Sequence, residues 1–136
     1  MTSKYSNLVM HNFVGQIGWF DLFLLWPLAT PWTAQIFWDL LTWVHIHLGL
    51  KGHFPQMDSG ILLFLVIMGT LAVGWAIARI LVPAKILGKL DAVLRLYIAS
   101  LFLGWLIFFG WSTLLCLFVA TELCGAGYFY FKTLRN

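Results

Sequence analysis

The chain has 136 residues, 62% of them hydrophobic and only 10% charged, against roughly a quarter charged in an ordinary soluble domain. A chain this short with so few polar residues cannot cover an apolar core of its own, so lipid has to cover it, and one membrane domain is expected. The net charge of +3 comes from eight Lys and Arg against five acids. These are scattered singly between apolar runs, which excludes the basic stripe of a nucleic-acid surface.

The first span is expected at about 13–29, roughly 25 Å of helix and the short end of what crosses a bilayer. A cleaved signal peptide is the rival reading, with Lys4 as basic flank. Asp21 inside the apolar stretch and the poor cleavage context of Ala29-Thr30-Pro31 argue for a retained anchor. Thr30-Pro31 reads as a cap followed by proline in the first turn, so a new helix starts there at a changed angle.

That helix, about 31–48, places Ile36, Leu40, Trp43 and Ile46 on one stripe and Gln35, Asp39, Thr42 and His45 on another. With Trp32, Trp38 and Trp43 as amphipathic rings, it is expected to lie in the membrane interface or lean over the bundle. Leu50 to Ser59 is a polar loop. The second span is expected at about 60–82, ended by Pro83.

Lys85 and Lys89 mark a short connection, and the third span is expected at about 90–109. Uncharged sequence then runs to Thr121, too far for one span. Gly110-Trp111-Ser112 is the place to turn the chain back, giving a fourth span at about 112–131. Four crossings put Lys4, Arg79, Lys85, Lys89, Arg95, Lys132 and Arg135 on one side and only Lys51 on the other. That bias marks the cytoplasmic side and places both termini there. The fold class is thus an all-α membrane protein, a four-transmembrane-helix bundle with an amphipathic interfacial helix between spans 1 and 2.

Asp21 and Glu122 fall near the middle of spans 1 and 4. An acid at the bilayer midplane costs at least about 2.5 kcal/mol on insertion scales, so the two could share a proton, bind a cation or hold a polar ligand group. The alternative is that each is protonated or satisfied inside the bundle by a Trp N–H or Thr hydroxyl. Trp75 and Trp105 are the tryptophans placed deepest in spans, where they could wall an aromatic ligand pocket or simply extend the anchor belt.

Asp91 and Arg95 are four apart on one helix and can pair, with Arg79 arriving at similar depth. Ion pairing and contact with lipid headgroups, reached by snorkelling, are the expected roles, with a substrate or quinone-headgroup role as the alternative. His45, His47 and His53 have a spacing that chelates a metal only if the helix has ended by His47, because residues two apart on a helix point apart; interfacial histidines are expected. No serine lies in a nucleophile motif. Cys116 and Cys124, eight residues or about 12 Å apart on one helix, cannot bridge and read as small buried thiols. They belong to a small-residue stripe with Ala120 and Gly127, matched by Thr70, Gly74 and Ala78 on span 2. Internal packing is the simplest use, and docking against a larger membrane partner is the other.

Asp21 to Pro31 (DLFLLWPLATP) and Leu87 to Ala92 (LGKLDA) together resemble an uncharacterised family of small four-helix bacterial inner-membrane proteins. The resemblance implies a bacterial inner-membrane location and carries no activity. In outline only, four short helices with intramembrane acids are also similar to the EXPERA sterol isomerases and their receptor relatives, and to DoxX-like proteins.

These features lead to a non-enzymatic accessory or assembly subunit of a larger membrane complex as the first expectation. The second is a binder or carrier of a small hydrophobic or protonatable molecule through Asp21 and Glu122, and the third an isomerase using the same two acids. No cofactor is identifiable. The partners expected are the lipid bilayer, a larger membrane complex or a hydrophobic small molecule, and no nucleic acid.

Overall fold

A computed structural model describes residues 2–134, with side chains for 13–131. It is all-α, with five helices: α1 (Thr2–Leu25), α2 (Pro31–His47), α3 (Ser59–Leu81), α4 (Lys85–Phe108) and α5 (Leu115–Leu134).

The breaks between helices follow from local chemistry. Pro27 removes a backbone donor, and the chain tightens into a 3-10 turn over Trp26–Ala29. Thr30 is then extended (φ −130°, ψ 147°), and Pro31, with its φ already fixed, opens α2. The axis turns by 101° between α1 and α2. The Thr33 hydroxyl holds the corner, bonding the Thr30 hydroxyl at 2.6 Å and the Pro27 carbonyl. Asp58 caps α3 by accepting from the Ile61 N–H at 2.7 Å, and Pro83 stops α3 one residue past its cap.

At the other reversal, Gly110 takes φ +62°, a conformation that favours glycine. Ser112 Oγ then accepts from the Leu114 N–H at 3.1 Å as α5 begins. The α2–α3 loop pairs with this turn: His53 N–H donates to Gly110 O at 2.8 Å, and Ser112 N–H to His53 O at 2.9 Å. The loop and the turn therefore lie together at one end of the molecule.

α1 packs along α3 and α4 along α5, while the two pairs touch each other much more sparingly. The apolar core is correspondingly small. Phe13, Val14 and Phe129 form its one buried cluster among the described residues, with Ile17 and Ala92 against it. Large apolar side chains instead face outward all round, Phe23 at 81% exposure and Phe108 at 80% among them. Such a surface requires lipid.

By length and composition α3 and α4 can each cross a membrane, and the bent α1–α2 pair counts as a third if taken as one broken span. α5 offers a shorter apolar stretch, Leu115–Phe131. The protein is thus a helical membrane protein with two to three helices fit to span.

Three expectations are corrected. α4 starts at Lys85, not near Leu90, because the Ala84 carbonyl already accepts from the Gly88 N–H at 3.2 Å. Arg95 therefore sits ten residues into α4, about 15 Å along the axis. The small-residue stripes are not internal packing faces: Thr70, Gly74, Cys116, Ala120 and Cys124 are all exposed, and α5 packs inward through Val119, Ala126 and Phe129. Cys116 and Cys124 are accordingly free, exposed thiols and not buried ones.

Candidate functional site: a buried ion junction beside an apolar chamber

Four of the five helices each bring at least one charged side chain to a single point between the two helix pairs. Asp21 comes from α1, Arg79 from α3, Asp91 and Arg95 from α4, and Glu122 from α5. Each interrupts an apolar run, so each is carried into the bundle by a helix whose other faces seek lipid.

Close backbone approach makes the meeting possible. A side chain at Gly18 would lie 2.9 Å from the Ala76 carbonyl oxygen, and one at Gly125 would lie 3.1 Å from Arg95 Cδ. Glycine at the first lets α1 close on α3 beside the Asp21–Arg79 pair, and at the second leaves room for the Arg95 side chain against α5.

Arg79 Nη2 donates to Asp21 Oδ2 at 2.6 Å, and its Nη1 lies 2.7 Å from Asp91 Oδ1. The second contact is electrostatic without hydrogen-bond alignment, so Nη1 is the buried side-chain polar atom that lacks a hydrogen-bond partner among the described residues. Arg95 fans out to three acids: Nε to Asp91 Oδ2 at 2.8 Å, Nη1 to Glu122 Oε2 at 3.1 Å, and Nη2 to Asp21 Oδ2. Trp75 Nε1 donates to Asp91 Oδ1 at 3.0 Å, and its ring lies under the Arg79 guanidinium, 5.8 Å from Cζ.

Burial is nearly complete. Arg79 is 2% exposed, Asp21 5%, Asp91 6% and Arg95 9%. The expectation that the arginines snorkel to headgroups is therefore overturned, since both guanidiniums turn inward to carboxylates. Glu122 is the outlier, with its side chain 22% exposed and a single arginine partner.

Glu122 also lines a partly open chamber of about 280 Å³ on the loop side of the junction. Its walls come from the end of α1 (Leu24), from the 3-10 turn (Leu28), from α2 (Phe37, Trp38, Leu41), from Phe54 of the loop, and from Phe102, Trp111 and Phe118 of the α4–α5 pair. Thr121 and Glu122 line it as well. α2 is held over it by Trp38 Nε1 donating to the Pro55 carbonyl at 3.2 Å, and by a 2.7 Å hydrogen bond between His45 Nδ1 and Ser112 Oγ. On the far side of Arg95 an open groove of about 530 Å³ runs between α1 and α5, and Thr121 borders both spaces.

The structure separates the residues singled out in the sequence. Asp21 and Glu122 do share a neighbour, Arg95, but Asp21 is closed off by two guanidiniums while Glu122 alone reaches the chamber. Trp75 belongs to the junction, not to the chamber wall. Trp105 is 42% exposed on the outside of α4, its ring tilted against that of Phe109 with centroids 4.7 Å apart. The histidines are scattered: His45 bonds Ser112, His47 bonds the Trp43 carbonyl on its own helix at 3.0 Å, and no metal-binding group of three ligands forms among the described residues.

The ligand-binding reading expects a pocket, and Glu122 lines this one, but Asp21, Trp75 and Trp105 do not; its aromatic residues come from α2, the loop and the α4–α5 pair and read as belt and core positions in a linear sequence. The junction did have a signal. Five charges stand inside apolar runs, three negative and two positive, and burial of each demands a partner of opposite sign. Compared with protein-family models, with curated proteins and with solved structures, the chain matches none.

Proposed function

We propose that this protein is an intramembrane binder or carrier of a small apolar molecule, held in the chamber beneath α2 with Glu122 as its polar contact. The observation that carries this reading is the position of Glu122. It is the one acid of the junction that reaches the chamber, and the rest of the wall is almost wholly apolar, the usual make-up of a small-molecule site. Asp21, sealed by both arginines, acts by fixing Arg95 and so the orientation of Glu122.

Native mass spectrometry of the protein, extracted in mild detergent from its own host, tests this directly. A single small molecule should remain bound, and it should be lost from a Leu41→Trp variant, whose larger ring fills the chamber, while the helical content is unchanged. Retention of the same molecule by that variant would place the binding elsewhere and defeat the reading.

A second reading, an accessory subunit of a larger membrane complex, is favoured by the outward small-residue face of α5. Cys116, Ala120 and Cys124 are exposed there, and small residues allow close helix approach. It predicts a partner of fixed stoichiometry that Ala120→Trp releases. The isomerase reading has less support, because it needs two acids in different protonation states facing one substrate, and Asp21 faces only arginines.

The topology we propose has four crossings: α1 with its 3-10 extension, α3, α4 and α5, with α2 against the bundle at the outer face. Because Arg79 and Arg95 are buried in the junction, the charge bias rests on Lys4, Lys85, Lys89, Lys132 and Arg135 against Lys51. It still favours cytoplasmic termini, in keeping with a bacterial inner-membrane location.

A further inference from the structure

The junction is not electrically balanced. Asp21, Asp91 and Glu122 face only Arg79 and Arg95, so with every group ionised one negative charge is in surplus. Its location follows from the pairing. Asp21 meets both arginines and Asp91 meets both arginines, whereas Glu122 meets Arg95 alone, at the longest ion-pair distance of the junction, 3.1 Å. The surplus therefore resides on the one carboxylate that reaches the chamber.

In a low-dielectric site such a charge has to be neutralised, by a proton or by a cation. The chamber suits the second. Six aromatic residues, Phe37, Trp38, Phe54, Phe102, Trp111 and Phe118, line it, and aromatic rings attract a positive charge; no lysine, arginine or histidine is among the wall residues.

We propose that the ligand of this chamber is a lipophilic cation, an apolar amine or quaternary ammonium of a size that fits about 280 Å³, and that it exchanges with a proton at Glu122. The exchange balances as written: the protonated Glu122 carboxyl and the free cation become a carboxylate–cation pair and one released proton. The groups facing Glu122 are Arg95 and Asp91 from α4 and Asp21 from α1, with Arg79 of α3 behind them. α2 adds aromatic rings to the chamber and no charge, and His45 sits at its opposite end on Ser112.

This inference rests on the chamber being the binding site, and the experiment separates the two. The probes are benzyltrimethylammonium and its uncharged carbon isostere, neopentylbenzene, titrated calorimetrically into the detergent-solubilised protein in two buffers of different ionisation enthalpy. The cation should bind at least tenfold more tightly than the isostere and release about one proton. Its affinity should rise with pH, by up to about tenfold per unit where Glu122 carries the exchanged proton. Glu122→Gln, which keeps an acceptor for Arg95, should abolish the proton release and weaken the cation at least tenfold while leaving the isostere unaffected. Equal binding of both probes with no proton release would overturn the cation inference and leave the chamber reading standing; binding of neither would remove both. The proton count is read on the unmodified protein, so the test holds even if the variant fails to fold.

Discussion

The two ends of the space between the helix pairs are built on opposite principles. At the junction, four helices converge on five charges, nearly every polar atom is matched, and three of the five residues are at most 6% exposed. Toward the loops the space between the same helices is about 280 Å³, walled by aromatic and aliphatic side chains. In lipid there is no hydrophobic drive to press helices together, so apolar surfaces alone give the pairs little reason to close. The charges provide that reason at one end, and their absence at the other lets a chamber persist. An ionic end and an apolar end are thus two consequences of where the charges fall in the sequence.

Removing the ionic clamp should break this contrast most severely. Arg95→Met keeps much of the side chain's length and its apolar stem but leaves Asp21 and Asp91 with Arg79 as their only cation and Glu122 with none. The expected loss is about 3–5 kcal/mol, the penalty for leaving buried charge uncompensated, read as a shifted midpoint of unfolding in mixed micelles. The Arg95→Met/Glu122→Gln double variant returns the junction to the net charge of the unmodified one, with Asp21 and Asp91 against Arg79, and should recover part of it. A midpoint unchanged in the single variant would show that the junction does not hold the pairs together.

A second, smaller effect tests the packing between α3 and the 3-10 turn, which forms the back of the chamber. A Cβ on Gly69 would lie 2.6 Å from Leu28 Cβ and overlap the Leu28 carbonyl, whereas one on Gly74, five residues along the same helix, meets nothing within 4 Å. Gly69→Ala should therefore destabilise by about 1–3 kcal/mol, the usual cost of overpacking, and Gly74→Ala should be neutral or mildly stabilising, as expected of an exposed helical glycine. The comparison uses one substitution on one helix, so any general effect on helix propensity cancels. Equal behaviour at the two sites would mean that the Gly69 approach is not maintained in solution.

Legibility in the sequence divides along the same line. Helix starts and stops depend on local chemistry, and Thr30-Pro31, Pro83 and Gly110 each mark a break at or beside the place where the chain turns. The pairing of Asp91 with Arg95 is equally local, one helical turn apart. What spacing along one helix cannot give is which helices are neighbours. Asp21 and Glu122 looked alike as lone acids in apolar spans, yet one is locked between two arginines and the other opens on a cavity. Arg95 reads as a snorkelling residue only if the helix starts near Leu90, and α4 begins at Lys85; Arg79 does lie in the last turn of α3 and turns inward because Asp21 and Asp91 meet it there. Outward stripes such as Cys116, Ala120 and Cys124 have the spacing of an interface whether or not a neighbour in the same chain uses it.

Trp75 sits at the seam between the local and the long-range. Its indole N–H reaches Asp91 on α4, while its ring lies under Arg79 on its own helix. Phenylalanine in its place keeps an aromatic face beneath the guanidinium and removes the donor. Trp75→Phe should therefore cost about 1 kcal/mol, the scale of one hydrogen bond in a membrane bundle, and leave ligand binding in the chamber intact, because Trp75 does not line it. A stability loss as large as that of Arg95→Met would mean that Asp91 depends on the indole more than on the arginines. Loss of binding without loss of stability would mean that junction and chamber are coupled through Asp91, and that the division between an ionic end and an apolar end is less sharp than their composition implies.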